Sequence, residues 1–165
     1  MKILVFSLLL AGALLAQEKC NFTFDEKSGK NILIGEITRE NLTDSSYSVW
    51  FKKEYDNYAP DTLVIERLKK NLKEYAIEVV FGTWCSDSRR EVPRFLKILD
   101  LCGFSDKNLR LIAVDRNKKA DDIDISDKEI ALVPTFIIYK NNEEKGRIIE
   151  TPEESLEKDL SNILN

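Results

Sequence analysis

The chain contains no histidine. That excludes Ser-His and Cys-His catalysis, the usual zinc sites and histidine-ligated haem. Cysteine is sparse. Only Cys20, Cys85 and Cys102 are present, so at least one thiol stays unpaired within a monomer. Neither sign of charge dominates. Lys and Arg total 25 against 29 Asp and Glu, for a net charge of −4. That balance gives no electrostatic footprint for nucleic acid or for an anionic membrane surface. Internal repeats, low-complexity tracts and long linkers are also missing. With 165 residues, 43% of them hydrophobic, what is left is one globular domain large enough for a real core.

The apolar run from Ile3 to Ala16 is too short for a comfortable membrane span. It follows Met1-Lys2 and closes on small residues before Gln17, the pattern of a secretory signal with cleavage expected after Ala16. The expectation is an exported protein, periplasmic or extracellular, with no membrane attachment once residues 1–16 are removed. Export brings an oxidising compartment in which thiol-disulfide chemistry is available.

Residues 20–25 and 31–38 read as a β-hairpin turned by Lys27-Ser28-Gly29-Lys30, with Phe22 and Phe24 on one face. The polar stretch Thr43 to Ser48 is placed to cap a short helix bearing Phe51, Tyr55 and Tyr58. Those aromatics, with Trp50, are expected to pack this extension onto the domain. Ala59-Pro60-Asp61 then opens a helix with Val64, Leu68 and Leu72 at helical spacing. Residues 76–82 form a central strand, and a helix runs from Cys85 to about Leu101, closed by Gly103.

Residues 109–115 form the next strand. An acidic connection, Ala120 to Asp127, precedes a short helix. It lacks the glycine and closing glutamate of a calcium loop. Residues 132–139 form a strand turned by Asn141-Asn142 into a partner at 146–150. Thr151-Pro152-Glu153-Glu154 has the makings of a capping box for the last helix. Strands joined by a helical crossover are parallel and strands joined by a tight turn antiparallel, so the sheet is mixed. The expected organisation is signal peptide 1–16, N-terminal hairpin and helical extension 17–75, and core 76–165, in a single domain overall.

One segment concentrates the chemistry. The β-branched run Val79-Val80-Phe81 ends in Gly82-Thr83-Trp84-Cys85, and a helix follows. Backbone N–H groups at a helix start lack intrahelical partners and carry positive partial charge. A thiolate placed there is stabilised and becomes a better nucleophile. Cys102 cannot serve as its resolving partner. Seventeen positions along one helix span roughly 25 Å at ~1.5 Å per residue, against about 4.4–6.8 Å between disulfide Cα atoms. Cys102 is expected to pack in the core beside Leu99.

Trp84, Cys85 and Pro93, followed downstream by Val133-Pro134-Thr135, resemble the active-site region of the thioredoxin superfamily over about residues 76–164. The resemblance implies an α/β fold, a thioredoxin-like three-layer sandwich whose central mixed sheet has helices on both faces. It implies a cis Val133-Pro134 bond opposite Cys85. Trp84, Val133, Pro134 and Thr135 become candidate substrate-binding residues. Cys85 becomes the candidate nucleophile, with Ser88 as its hydrogen-bond donor. No cofactor or metal is implied, and the partners are protein or small-molecule thiols and disulfides.

The chain departs from the family in reading Cys85-Ser86-Asp87-Ser88, so the second thiol is a hydroxyl. Val79 and Leu111 stand where the family carries a buried acid and a lysine. A lone thiolate can attack a disulfide, but an external thiol must then release it. Two alternatives share these residues: a redox-inactive binding module, and a thiol peroxidase. The peroxidase lacks support, because Pro-x-x-x-Thr-x-x-Cys is absent around Cys85.

Overall fold

A computed structural model describes residues 21–43 and 46–164. Residues 1–16, expected to be a signal peptide, Cys20 and Asp44-Ser45 lie outside the described residues. The hairpin comprises β1 (Asn21–Asp25) and β2 (Lys30–Ile37). Three helices follow: α1 (Arg39–Thr43), α2 (Ser48–Asn57) and α3 (Thr62–Asn71). Then come β3 (Ala76–Phe81), α4 (Ser86–Leu101), β4 (Leu109–Ala113), β5 (Thr135–Lys140), β6 (Glu143–Ile149) and α5 (Leu156–Leu164). None of the helices among the described residues is long and apolar enough to cross a membrane.

The strands make one six-stranded mixed sheet in the order β1-β2-β4-β3-β5-β6. Only β3 and β4 are parallel, with Val79 opposite Leu111. The α4 crossover imposes that direction. β2 pairs antiparallel with β4 and so makes the hairpin part of the main sheet. The β5–β6 turn uses Asn141 and Asn142, both at positive φ (54° and 64°). Such a turn matches the twist of its strands.

The layering departs from the expected helices on both faces. The buried side chains of all five described α-helices join one cluster, with Val79, Phe81, Leu111, Ala113, Phe136 and Ile138 of the sheet. The opposite face carries a smaller cluster, Val80, Ile112, Val114, Ala120, Ile125 and Val133. Its cover is the 114–133 connection, which holds only a 3-10 turn at Ser126–Lys128. That stretch has too few apolar residues at helical spacing to build a packed helix.

Helix α4 is the centre of the core. Val92, Phe95, Leu96 and Leu99 are fully buried, and Phe95 meets Phe136 at 4.3 Å between ring centroids. Pro93 lies inside the helix. The helix closes on Gly103 at φ 66°. Phe104 N–H bonds Leu99 O, and Gly103 N–H bonds Asp100 O, which is the Schellman arrangement. Cys102 is buried in the same cluster, where burial pushes its thiol up to about 11.

The extension docks through α2. Phe51 is buried, Tyr55 donates to Asp100, and Arg94 binds Glu54. Tyr58 and the Asp61 amide both donate to Glu157, a buried carboxylate on α5. Asp61 caps α3 through Leu63 N–H at 2.8 Å. The N-cap of α2 is Tyr47, whose own side chain makes no cap hydrogen bond; Asp44 and Ser45 of the polar stretch expected to cap this helix lie outside the described residues.

The last helix also starts later than expected. Thr151-Pro152-Glu153-Glu154 is irregular and α5 begins at Leu156. The Asp159 carboxylate accepts the amides of Glu153 and Glu154, so these donors are satisfied without a helical turn.

Candidate functional site

Strand β3 ends at Phe81, and the chain turns through Gly82-Thr83-Trp84. Cys85 N–H closes that turn on Gly82 O at 2.9 Å. Cys85 is the N-cap of α4, with extended backbone (φ −88°, ψ 132°). Its carbonyl accepts from Arg89 N–H at 3.1 Å. The sulfur makes no cap hydrogen bond. It is partly exposed and donates to Val133 O at 3.3 Å.

Gly82 is required by the fold of this turn. A Cβ there would meet the Trp84 indole at 2.5 Å from Nε1. The indole cannot simply give way, because its Nε1–H bonds Val114 O at 2.9 Å and Arg116 lies over its ring at 4.7 Å. We expect Gly82→Ala to cost about 1–3 kcal/mol of stability, in the range of overpacked sites. Denaturant melts read through tryptophan fluorescence check this; an unshifted midpoint would contradict it.

Thr83 is buried and locks the turn to the hairpin. Its hydroxyl accepts from Leu33 N–H of β2 at 3.2 Å, and its carbonyl accepts from Arg89 Nε at 2.6 Å. Arg90 is paired with Asp87 at 2.7 Å and with Glu91. Among the charges of this helix start, Arg89 therefore serves the turn, and Arg90 is neutralised by its neighbours.

Ser88 does not sit as expected. It is fully buried, and its hydroxyl accepts from Gly82 N–H at 3.2 Å. The expected Ser88–Cys85 hydrogen bond is not among those formed by the described residues. Oxygen is the better acceptor for the backbone amide that the turn leaves open, so Ser88 holds the loop rather than the sulfur.

The Val133-Pro134 peptide bond is cis. The side chains of Val133, Pro134 and Thr135 are buried. Pro134 O accepts from Glu150 N–H at 2.7 Å, and the Thr135 hydroxyl donates to Leu132 O at 2.7 Å. What this segment offers the site is therefore backbone, with Val133 O nearest the sulfur. Below the turn, Val79 and Leu111 are 0% and 3% exposed. The floor is apolar and holds no acid or base at these two positions.

Sequence reasoning missed Arg116. It follows the carboxyl end of β4, beside the Cys85 turn at the end of β3. In parallel pairs that edge is where functional loops converge, and this was the available signal. The guanidinium binds Asp25 through two nitrogens at 2.7 and 2.8 Å while covering Trp84.

Asp25 ends β1 and also accepts from Ser28 N–H at 3.1 Å. The Arg116 hydrogen bond, with help from Ser28, holds the Asp25 carboxyl well below the usual carboxylate range. A depressed folded-state value means that the pair stabilises above the unfolded value near ~3.9 and weakens as pH falls below it. The stability gap between the native protein and Asp25→Asn is expected to be full at pH 7 and to narrow below about pH 4. Denaturant titrations at pH 7 and pH 3 measure this; a gap that widens in acid would contradict it.

Neither a protein-family model nor a curated protein matches the sequence. Two solved structures are similar in backbone. One is a protein of unknown function, PA1234, from Pseudomonas aeruginosa: 19% identity, TM-score 0.46, covering 71% of this chain and 74% of that one. The other is an HIV epitope scaffold: 20% identity, TM-score 0.45, covering 71% of each chain. Function is therefore read from the site's own residues.

Proposed function

We propose that this protein is an exported thioredoxin-like thiol-disulfide oxidoreductase with one nucleophilic cysteine, Cys85. The observation that carries the reading is the sulfur's position. It sits at the N-cap of a sixteen-residue helix, partly exposed, 3.3 Å from the carbonyl that precedes a cis-proline. Helix starts are positions where a nucleophilic thiolate is commonly found. Arg116, held by Asp25, sets a fixed cation over the ring of Trp84, the residue before Cys85.

The Cys85 thiolate attacks one sulfur of a disulfide. A Cys85–substrate S–S bond forms, the original S–S bond breaks, and the other sulfur leaves as a thiolate. An external thiol then attacks the substrate sulfur of the mixed disulfide and regenerates the Cys85 thiolate. The net result is exchange of one thiol for another in the substrate disulfide, with no change in the protein. Ser88 cannot perform the second step, since it is a buried hydroxyl bonded to Gly82. Trp84 shields one side of the sulfur, and the Val133-Pro134 backbone forms the other.

The test is stoichiometry. With a peptide disulfide and no added thiol, the Cys20→Ser protein is expected to release one leaving thiolate per chain and stop. Added thiol is expected to restore turnover. Continued turnover without added thiol would sink the single-cysteine mechanism.

A further inference from the structure

A groove of about 550 Å³ is bordered by Thr83 and Arg89, which flank Cys85 in the chain. Its walls include Phe22, Lys30, Tyr47, Trp50, Thr83 and Arg89. Thr83 and Arg89 belong to the turn itself. They stand two residues before and four after Cys85, joined by the Arg89 Nε–Thr83 O bond. One wall of the groove is therefore the scaffold of the nucleophile.

The facing wall is aromatic. Trp50 meets Tyr47 edge-on at 6.3 Å. Phe22 is 51% exposed, and Phe24, two residues along β1 and so on the same face, is 62% exposed. The core does not use these two rings. They prolong the groove along the outermost strand of the sheet. The charged side chains of the described lining are both cations, Lys30 and Arg89, in a chain whose net charge is −4.

We propose that this groove binds an extended acidic segment of a client polypeptide, with an aromatic or aliphatic side chain, next to the client sulfur that Cys85 attacks. The proposal rests on the thiol-exchange reading above and adds its substrate class. The two cations select carboxylates. The exposed rings supply apolar contact area, as aromatic anchors do in protein interfaces. The volume falls in the range of small-ligand sites, and the row of phenylalanines beyond it extends the surface to the length of a peptide.

Two synthetic peptides test it, identical except that Asp residues flanking a Cys-x-Phe segment are replaced by Lys in the twin. Sulfur-free versions, with Ser for Cys, carry fluorescein for anisotropy. The acidic peptide is expected to bind at least about tenfold tighter than its basic twin, a margin of ~1.4 kcal/mol. Trp50→Ala is expected to weaken it about fivefold or more, and Lys30→Glu, on an exposed side chain, to erase or invert the charge preference.

Exchange is read separately. The cysteine peptides are used as mixed disulfides with a nitrothiobenzoate leaving group and compared with bis(2-hydroxyethyl) disulfide, which is too small to fill the groove. The ratio of peptide rate to small-disulfide rate is expected to fall in both variants. Equal binding of the twins would overturn the groove proposal, and so would affinities untouched by both variants. A dimer in light scattering that Lys30→Glu dissolves would assign the groove to a second copy and overturn it likewise. Exchange without peptide preference removes the groove and leaves the oxidoreductase. Peptide binding without any exchange leaves the groove and removes the oxidoreductase.

Discussion

Cys85→Ser is expected to bring disulfide exchange down to the background rate of the assay. The other described cysteine cannot substitute. Cys102 is buried at the far end of α4, and its thiol is pushed up to about 11, so it supplies almost no thiolate at neutral pH. A serine hydroxyl at the same helix start is not ionised and does not attack sulfur. Single-turnover release of a chromogenic thiolate measures the effect. In a Cys20→Ser background the expected loss is at least about a hundredfold, because the thiolate is the attacking species and the buried Cys102 does not replace it. The fold is expected to survive, since the sulfur makes one hydrogen bond and no cap. A variant that retains more than half the native rate would place the reactive group elsewhere.

Ser88→Cys is expected to change the kinetic class of the protein. Position 88 lies three residues into the helix from the N-cap. Side chains three apart on a helix are neighbours, with Cβ atoms about 5–6 Å apart. A disulfide needs Cβ atoms about 3.5–4.5 Å apart, so the N-cap and the first turn must draw together by about 1–2 Å to close one. The introduced thiol would attack Cys85 in the mixed disulfide and expel the substrate as a thiolate, leaving an intramolecular disulfide. Turnover would then need a reductant of that disulfide rather than a thiol that attacks the substrate adduct.

The same substitution has a structural cost. Gly82 N–H loses the oxygen that accepts from it at 3.2 Å, and sulfur is a weaker acceptor. A destabilisation of about 1 kcal/mol is expected. Intact mass under oxidising conditions checks the first effect, expected as a loss of two hydrogens and no retained adduct. Adducts as persistent as those of the native protein would show that position 88 cannot reach the sulfur.

Much of this architecture was legible in the residues, and the reasons differ from element to element. Cys85 at a strand-to-helix junction follows from an apolar β-branched run meeting a helical periodicity. Gly103 and Asn141-Asn142 announced their positive φ values, because few other residues tolerate that region. Burial of Val92, Phe95, Leu96 and Leu99 followed from their spacing.

What was not legible depends on distant partners. The capping pattern at Thr151 is locally sound, yet Asp159 takes the amides that the cap would have organised. Ser88 is near Cys85 in sequence, but the turn brings Gly82 N–H to its hydroxyl instead. Arg116 and Asp25 are 91 positions apart, and only the sheet order brings them together over Trp84. The missing layer of helix has a simpler cause. A thinly apolar connection can cover a sheet face without forming one, and periodicity over so short a stretch does not decide between the two.

The central claim is that this site makes Cys85 a better nucleophile than an ordinary thiol. Its most direct test is the alkylation rate of Cys85 at pH 7 in the folded protein and in urea, with peptide mapping to separate it from Cys20 and Cys102. Cys85 is expected to react faster when folded, despite its partial burial, and Arg116→Ala is expected to lower the folded rate. A folded rate below the unfolded one would mean that the fold shields the sulfur instead of activating it, and would overturn the proposed chemistry.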